Sequence, residues 1–302
     1  MAKPSATTPL IMSKPLMTIA SALQQGYRQL RSSNSDSAKL DSEILLLKVL
    51  NAHSDIYRTK TWLLTWPETT LTAEQFQQFI HYLKLRSEGM PVAYITGEKD
   101  FWTLTLAVTP ATLIPRPETE LLVEYALEKI SPTENATLLE LGTGSGAIAL
   151  AIAAERSNVA ILATDISQQA LAVAQHNLER LKFSNVTFFR SDWFDAIPRQ
   201  QFELIVSNPP YIAEQDPHLQ DNVRKYEPLT ALHAGNEGLD DIAHIIRQCR
   251  NYLKPAGWLL LEHGCDQAQA VQTLLRQHAF RQITSIKDLN QLPRISLARK
   301  ES

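Results

Sequence analysis

The most constraining feature of this sequence is an alternation of short apolar runs and helical segments that begins near Thr137. Two of the runs, 204–206 and 259–261, are apolar at every position rather than at every second one. A strand with that pattern is buried on both faces, as in a parallel sheet covered by helices. The alternation therefore predicts an α/β domain with a mostly parallel sheet. Its strands are expected at 137–141, 160–164, 186–190, 202–206 and 258–262, with helices from Ser145, Ser167, Leu239 and Asp266, and with an antiparallel pair at 283–286 and 295–298 closing the sheet.

The region before this alternation has other periodicities. Over residues 18–90 the apolar positions recur at helical spacing, whereas 101–108 is apolar near every second position and leads into a Pro-rich stretch at 113–117. A chain of 302 residues is long enough for about two domains. The expected parts are a flexible leader at 1–15, a helical substrate-recognition domain at 16–91, a hairpin linker at 92–117 and the α/β domain at 118–302.

Charge and cysteine content exclude several classes of function. The chain has 29 Lys and Arg against 32 Asp and Glu, a formal charge of −3, so no overall positive field attracts DNA, RNA or an anionic membrane. Cys249 and Cys265 are too few for a disulfide framework, and no His or Cys neighbours stand at zinc-ligand spacing. No apolar stretch near the N-terminus has the length of a signal-peptide core or a membrane span. We expect a cytoplasmic protein with no metal, no direct nucleic-acid partner and no membrane partner.

A glycine-rich turn follows the first strand of the α/β domain and opens the next helix. It consists of Gly142, Thr143, Gly144, Ser145 and Gly146. Glycines at such a turn let a ligand approach the backbone, and the N–H groups at a helix start favour anionic or polar ligand groups. The run also fits a dinucleotide fingerprint, so by itself it leaves NAD and S-adenosylmethionine open as cofactors. A tight turn that binds no ligand is a third interpretation.

Acidic and aromatic residues follow the next two strands. Asp165 stands nineteen residues after Gly146, where a carboxylate can accept two hydrogen bonds from a ribose diol. Its alternative role is to cap the following helix, which Ser167 can do equally well. Asp192 and Trp193 end the third strand and are candidates to line an adenine pocket, although Trp193 also suits an ordinary core position.

The turn Asn208-Pro209-Pro210-Tyr211 directly follows an apolar strand, at the sheet edge where α/β proteins bind ligands. Two prolines make its backbone rigid, and Pro210 has no N–H that could compete as a donor. The Asn208 side-chain oxygen and the Pro209 carbonyl are then two fixed acceptors that can hold both hydrogens of a planar NH₂ group. Tyr211 offers an aromatic face on which a planar amide or base can stack. The alternative is a Pro-rich turn that only ends the strand.

The residues Asn208 to Tyr211 resemble the signature of methyltransferases that act on planar amino or amide nitrogens, including adenine-amino DNA methyltransferases and protein-glutamine methyltransferases. Other motifs narrow the resemblance to the HemK/PrmC family, whose members methylate the glutamine of the Gly-Gly-Gln tripeptide in peptide-chain release factors. The resemblance covers about residues 19–299. Its other motifs are Leu-Ile-Pro-Arg-Pro-Glu-Thr-Glu at 113–120, the loop at 140–147, Ser-Asp-Trp-Phe at 191–194, and Glu227-Pro228 followed by Ala231-Leu232 and Gly235.

This resemblance implies a class I, Rossmann-like methyltransferase domain with a seven-stranded sheet that binds S-adenosylmethionine, and release factors that present the Gly-Gly-Gln loop as partners. It implies that the cofactor is contacted by the loop 142–146, Asp165, Trp193 and Asn208. The turn 208–211 holds the glutamine, with Asn208, Pro209 and Tyr211 as the catalytic residues. Glu118 and Glu140 are further candidates to orient the cofactor.

The chain departs from the family pattern at two places. Asn-Gln-Leu-Pro-Arg at 290–294 stands where the family usually has a Gly-Arg-Asp-Arg-like turn, and Ala256-Gly257 replaces Gly-Gly. The first departure concerns the shape of the last hairpin rather than the active site.

Proteins with other functions share some of these motifs. A DNA adenine methyltransferase would share 208–211 but should bring a basic recognition region, whereas residues 1–91 carry ten Lys and Arg against seven acids. A ribosomal-protein glutamine methyltransferase is the closer alternative, but its family has a different stretch where this chain reads Arg-Pro-Glu-Thr-Glu at 116–120. A non-enzymatic adaptor with a vestigial site is disfavoured because all the site residues remain.

Overall fold

The computed structural model describes residues 17–33, 35–52, 54–217 and 219–301. The chain divides into two compact units, one ending at Thr96 and the other beginning at Gly97. The leader expected at 1–15 lies outside the described residues. Within the described ranges, no helix is long and apolar enough to cross a membrane. In the same ranges, no group of three or more His, Cys, Asp and Glu side chains is placed to hold a metal ion.

The first unit is helical, as the apolar spacing predicts. Thr72 opens one of its helices with a capping box, which satisfies N–H groups of the first turn. Leu46 and Phe79 belong to a buried core that the helices share. Residues 92–96, assigned to the linker from sequence, instead form a short helix, because Ile95 packs into that core. The helices are α1 (Ile19–Ser32), α2 (Ala38–Asn51), α3 (Lys60–Thr65), α4 (Ala73–Ser87) and α5 (Val92–Thr96).

The second unit opens with the predicted hairpin. Strands β1 (Glu98–Phe101) and β2 (Leu104–Ala107) pair antiparallel. The hairpin is followed by the Pro-rich stretch, a 3-10 turn at Pro117–Thr119 and helix α6 (Glu120–Lys129). Proline suits the start of such a turn because its fixed φ is already helical and its missing N–H is not needed there.

A seven-stranded sheet forms the centre of the second unit. Its strands are β3 (Ala136–Leu141), β4 (Val159–Asp165), β5 (Val186–Arg190), β6 (Phe202–Ser207), β7 (Leu253–Glu262), β8 (Phe280–Lys287) and β9 (Pro293–Lys300). The strand order is β5-β4-β3-β6-β7-β9-β8, with β3 to β7 paired parallel and β9 antiparallel to both of its neighbours. This order confirms the α/β class, the seven strands and the antiparallel end of the sheet. The remaining helices are α7 (Ala147–Glu155), α8 (Gln168–Leu181), α9 (Asp221–Tyr226), α10 (Asp240–Cys249) and α11 (Ala268–Gln277).

The apolar runs are continuous because both faces of the sheet are buried. In β6, Leu204 and Val206 pack into one apolar cluster, whereas Ile205 packs into a second. In β7, Leu260 belongs to the first cluster and Leu259 to the second. Helix α7 contributes to the first cluster, and helices α10 and α11 contribute to the second. The sheet is therefore a rigid support for the loops at its edge.

The turn between β8 and β9 still closes a hairpin despite its unusual sequence. Asp288 organises it: Oδ1 accepts hydrogen bonds from the N–H groups of Asn290 and Leu292 at 2.8 and 3.0 Å. Its Oδ2 accepts from Arg294 Nε at 3.0 Å. Gln291 takes a left-handed conformation with φ of 63°. One carboxylate thus holds the turn that replaces the family's usual sequence.

Candidate active site

The candidate site lies where the strand order of the sheet reverses. Strand β3 has β4 on one side and β6 on the other, and ligands of open α/β sheets bind beyond the carboxyl ends of the strands at such a point. Gly142, Asp165 and Asn208, which lie at these strand ends, line one cavity of about 530 Å³. Trp193, after β5, and Asp241, in the first turn of α10, line the same cavity. The fold thus brings together residues that are far apart in sequence.

The glycine loop presents its backbone to this first cavity. Gly142, Gly144 and Gly146 have φ values of 72°, 57° and 84°, in the left-handed region that favours glycine. At Gly146 a Cβ would also lie 3.0 Å from Leu150 and 3.1 Å from Phe188. Gly146 does not line the cavity, and a side chain there would meet these neighbours. The loop residues that line the cavity are Gly142, Thr143, Gly144 and Ser145.

Asp165 links two loops of the site. Its Oδ2 accepts from the Gly144 N–H at 2.9 Å, and its Oδ1 accepts from the Ser167 N–H at 2.8 Å. Ser167 is the N-cap of α8, because its hydroxyl accepts from the Ala170 N–H at 3.2 Å. The capping role is therefore filled by Ser167, and Asp165 keeps free lone pairs beside the cavity. Burial raises the pKa of Asp165, and the hydrogen bonds from Ser167 and Gly144 oppose this effect.

Trp193 contributes both to the cavity wall and to the core. It has a left-handed φ of 42°, and its backbone oxygen accepts from Ser191 Oγ at 2.9 Å. The indole packs against the second apolar cluster and lies beside Asp241, where it partly offsets the rise in the pKa of that carboxyl that burial causes. Asp192 lines the cavity beside it. Trp193 therefore packs in the core and also lines the cavity, and its contact with an adenine ring stays a prediction.

Glu140 is a buried acid at the end of β3. Its Oε2 accepts from Thr143 Oγ1 at 2.8 Å and from the Ala149 N–H at 3.1 Å. Its Oε1 is buried and has no hydrogen-bond partner among the described residues. Burial raises its pKa to about 8. Glu140 lines the first cavity, whereas Glu118 lines neither this cavity nor the second one described below.

The turn 208–211 separates two cavities. Pro210 lines the first cavity, Pro209 and Tyr211 line a second cavity of about 320 Å³, and Asn208 lines both. Asn208 Nδ2 donates to Thr119 Oγ1 at 3.2 Å. Because the NH₂ end of this amide is held in that way, the Oδ1 atom remains as a hydrogen-bond acceptor where the two cavities meet.

Tyr211 is fixed from several directions. Its hydroxyl donates to Glu262 Oε1 at 3.4 Å, and its backbone oxygen accepts from Gln267 Nε2 at 2.9 Å. Burial and the neighbouring Glu262 raise the pKa of Tyr211, so the phenol stays protonated and acts as a donor. Gly238 packs directly against the Tyr211 backbone, where a Cβ would lie 2.2 Å from the carbonyl oxygen.

We expect Gly238→Ala to destabilise the protein by about 2 kcal/mol or more, because the new methyl group meets backbone and φ at this position is +69°. For a domain of this size the melting temperature should fall by roughly 4 °C or more. Gly97→Ala is the matched control, since φ there is +74° but, among the described residues other than its two chain neighbours, no atom lies within 4 Å of the new Cβ. Thermal melts that show equal losses for both variants would mean that Gly238 is needed for φ alone.

The segment 113–120 forms part of both cavities. Leu113 and Arg116 line the two cavities, and Arg116 Nη2 lies 2.6 Å from Glu227 Oε1 in an ion pair. Glu227 is buried, and its Oε2 accepts from the Ile114 N–H at 3.1 Å. The motif at 113–120 and the motif that begins at Glu227 are therefore joined in the structure and together form part of the wall of the site.

Sequence reasoning missed three residues of this arrangement: Thr119, Asp241 and Glu262. Glu262 directly follows an apolar run at the end of β7, the same context that identified Asp165 after β4. Asp241 stands in the first turn of a helix, where acids are common for electrostatic reasons alone. Thr119 lies inside a quoted motif, but no spacing rule connects it with Asn208.

The charges around the first cavity favour a cationic ligand. Among the described residues that line it, Asp165, Asp192 and Asp241 have carboxyl groups, and Glu140 adds a fourth whose pKa is raised to about 8, against the guanidinium of Arg116. Arg116 is already paired with Glu227. The pyrophosphate of NAD would be repelled here, whereas the ammonium and sulfonium groups of S-adenosylmethionine would be attracted. The unpartnered oxygen of Glu140 is a ready acceptor for a donor on such a ligand.

Two family models match this chain. The PrmC N-terminal domain matches residues 21–97, and the Methyltransferase small domain matches residues 117–224. The fold is also similar to that of a 16S rRNA N2 methyltransferase from T. thermophilus in complex with AdoMet and guanosine, with a TM-score of 0.51 and 19% identity over 68% of this chain and 50% of that chain. This likeness concerns the fold alone.

Curated relatives match almost the whole chain. The release factor glutamine methyltransferase of Escherichia coli (strain K12) is 46% identical over 277 residues, which cover 92% of this chain and 97% of that protein. The release factor glutamine methyltransferase of Shewanella oneidensis is 44% identical over 281 residues, covering 93% and 96%. Identity at this level over both domains shows the family. The chain belongs to the release factor glutamine methyltransferases of the HemK/PrmC family.

Proposed function

We propose that this protein transfers a methyl group from S-adenosylmethionine to the side-chain amide nitrogen of a glutamine in peptide-chain release factors. The observation that carries the proposal is the position of Asn208 between two cavities, with its NH₂ end held by Thr119. The first cavity has the charge expected for the methyl donor. The second is the place for the glutamine, so donor and acceptor meet at Asn208.

The residues of the first cavity suit the parts of S-adenosylmethionine. The backbone of Gly142 to Ser145 would hold the methionine part, and Asp165 would accept hydrogen bonds from the ribose hydroxyls. Trp193 and the neighbouring acids would hold the adenine ring. When bound, the cofactor supplies an electrophilic methyl group on a positively charged sulfur. A cation near Glu140 favours the ionised form of that carboxyl and so lowers its pKa from about 8.

The turn 208–211 activates the glutamine by orientation. An amide nitrogen is a poor nucleophile because its lone pair is delocalised into the carbonyl group. If Asn208 Oδ1 and the Pro209 carbonyl accept the two N–H bonds, the lone pair is directed toward the methyl group at some loss of resonance. The two carbonyl dipoles also stabilise the positive charge that develops on nitrogen. Orientation of this kind can contribute roughly 7 to 11 kcal/mol. The proton leaves to water after transfer.

The proposed target is the glutamine of a Gly-Gly-Gln loop, and its methylation would modulate translation termination. Support comes from the resemblance of residues 113–120, 191–194 and 208–211 to the family that acts on this tripeptide. Glycines beside the glutamine leave room for it to enter a narrow cavity such as the second one. The absence of nucleic-acid binding and a cytoplasmic location stay predictions.

The helical unit is proposed to recognise the release factor. Several of its large apolar side chains are exposed to solvent, including Tyr57 at 80% and Trp66 at 57%. Apolar side chains that form a contiguous exposed patch are typical of surfaces that bind another protein, and these residues are the candidates for such a patch. The further exposed apolar residues of this unit include Leu40, Ile44, Ile56 and Leu64.

The proposed function is tested with labelled S-adenosylmethionine and three separate substrates: a release factor, ribosomal protein and DNA. We expect transfer to the release factor, and no transfer after its Gly-Gly-Gln glutamine is replaced by alanine. Transfer to ribosomal protein instead would favour the alternative glutamine methyltransferase. Calorimetry completes the test, since we expect binding of S-adenosylmethionine and none of NADH.

A further inference from the structure

A buried carboxylate lies beneath the turn 208–211 without touching either cavity. Glu262, at the end of β7, has 1% of its surface exposed and lines neither cavity. Its Oε1 accepts from Tyr211 Oη at 3.4 Å, and the Thr119 side chain lies beside the carboxylate and favours its ionised form. The other oxygen, Oε2, is buried with no hydrogen-bond partner among the described residues. A carboxylate is costly to bury, so its presence among apolar strands calls for a function.

Thr119 connects this carboxylate to Asn208. The Thr119 hydroxyl accepts a hydrogen bond from Asn208 Nδ2 at 3.2 Å. A hydroxyl has one proton to donate, and the neighbouring Glu262 carboxylate, whose Oε2 is buried without a partner among the described residues, can accept it. An ionised carboxylate can only accept hydrogen bonds. The direction of the whole relay, from the Asn208 amide through Thr119 to Glu262, is therefore set by the charge on Glu262.

We propose that Glu262 is a positioning residue for methyl transfer, which acts through Thr119 to keep the oxygen of the Asn208 amide turned toward the target nitrogen. This inference rests on the proposed function, in which Asn208 Oδ1 accepts from the glutamine NH₂ group. A neutral group at position 262 can donate to Thr119, which then donates to Asn208 Oδ1. The side-chain amide of Asn208 would then flip and present its NH₂ end to the target glutamine. An NH₂ group cannot accept the hydrogen bonds that the glutamine NH₂ group donates.

The charged groups around Glu262 define a pH dependence. Burial is the largest effect and raises the pKa of Glu262 to about 7, with Glu118 acting in the same direction. Arg294, from β9, and the hydrogen bonds from Thr119 and Tyr211 act in the opposite direction. The carboxyl is ionised above its pKa, so the relay has the productive direction at higher pH. Turnover should therefore rise through about pH 7 and be lost as the pH falls below it.

The test is Glu262→Gln, which keeps the shape of the side chain and removes its charge. At saturating S-adenosylmethionine and release factor we expect turnover to fall roughly 10- to 100-fold, by analogy with the loss seen when outer hydrogen-bond partners of metal ligands are removed. Cofactor affinity by calorimetry and the melting temperature should stay close to wild type. The rise in turnover near pH 7 should disappear.

Glu203→Gln is the matched control, because it makes the same charge change near the start of β6, at the end of that strand away from Asn208, where Glu203 pairs with Lys254. We expect it to keep both turnover and the pH profile. If Glu262→Gln lowers the melting temperature, Thr119→Val and Thr119→Ser give a second test: the relay predicts a large loss for valine and recovery with serine.

Unchanged turnover in Glu262→Gln would overturn the inference while the proposed function stands. The same holds if the rise near pH 7 persists in that variant, since the rise would then belong to another group such as Glu140. A wild-type protein that transfers no methyl group to the glutamine would instead overturn the proposed function, and this inference with it.

Discussion

Asn208→Ala is expected to reduce turnover on a Gly-Gly-Gln release factor by roughly 100-fold or more, as when a donor or acceptor aimed at developing charge is removed. The side chain supplies one of the two acceptors for the target NH₂ group, and it stands where the two cavities meet. Affinity for S-adenosylmethionine should fall much less, because the loop 142–145, Asp165 and Trp193 still line the first cavity.

The melting temperature separates this prediction from a purely structural role. Asn208 makes one hydrogen bond with Thr119, and a bond of this kind contributes roughly 1 kcal/mol to stability. A loss of a few degrees is therefore expected, far too little to explain a 100-fold effect at 25 °C. If turnover falls only in proportion to the loss of thermal stability, the turn 208–211 has a structural role and no catalytic one. If Asn208→Ala keeps full turnover, the proposed role of Asn208 in methyl transfer is wrong.

Asn208→Asp tests the acceptor more finely. The new carboxylate keeps an acceptor for the target and can accept from the Thr119 hydroxyl as well. It also adds negative charge near the cationic sulfur. We expect it to retain more turnover than alanine at equal release factor concentration, whereas equal losses would show that the neutral amide itself is required.

Much of this site could be predicted because it depends on where strands end. Gly142, Asp165 and Asn208 each follow an apolar run, and the carboxyl ends of parallel strands meet at one edge of a sheet. The spacing of apolar residues identifies the strands, and the strands then place the loops. The same logic predicted the antiparallel pair that ends the sheet, formed by β8 and β9.

The parts that sequence did not predict depend on contacts between distant segments. Arg116 and Glu227 are 111 residues apart, and nothing in the local pattern of either one indicates their ion pair. Glu262 meets Tyr211 only because β7 lies beside β6 in the sheet. The first unit extends to Thr96 because Ile95 finds a place in a core that the sequence does not display.

Asp165→Ala is expected to weaken S-adenosylmethionine binding by roughly 100-fold. The proposed ribose contacts are hydrogen bonds to a charged acceptor, each contributing about 1.5 to 3 kcal/mol, and 1.4 kcal/mol corresponds to tenfold in affinity. The carboxylate also orders the loop, since it holds the Gly144 and Ser167 N–H groups at 2.9 and 2.8 Å. Calorimetry measures the loss, with circular dichroism to show that the fold is intact.

Binding of the demethylated product, S-adenosylhomocysteine, reveals which property of Asp165 matters. Both compounds carry the same ribose, but the product lacks the positive sulfur. If Asp165 acts through the ribose, the variant should lose affinity for both by the same factor. A loss confined to S-adenosylmethionine would mean that Asp165 acts through its charge.

Burial raises the pKa of Asp165, so the affinity of the wild-type protein for both S-adenosylmethionine and S-adenosylhomocysteine should also decline on acidification, because the protonated carboxyl can accept fewer hydrogen bonds. In Asp165→Ala that part of the decline should be absent.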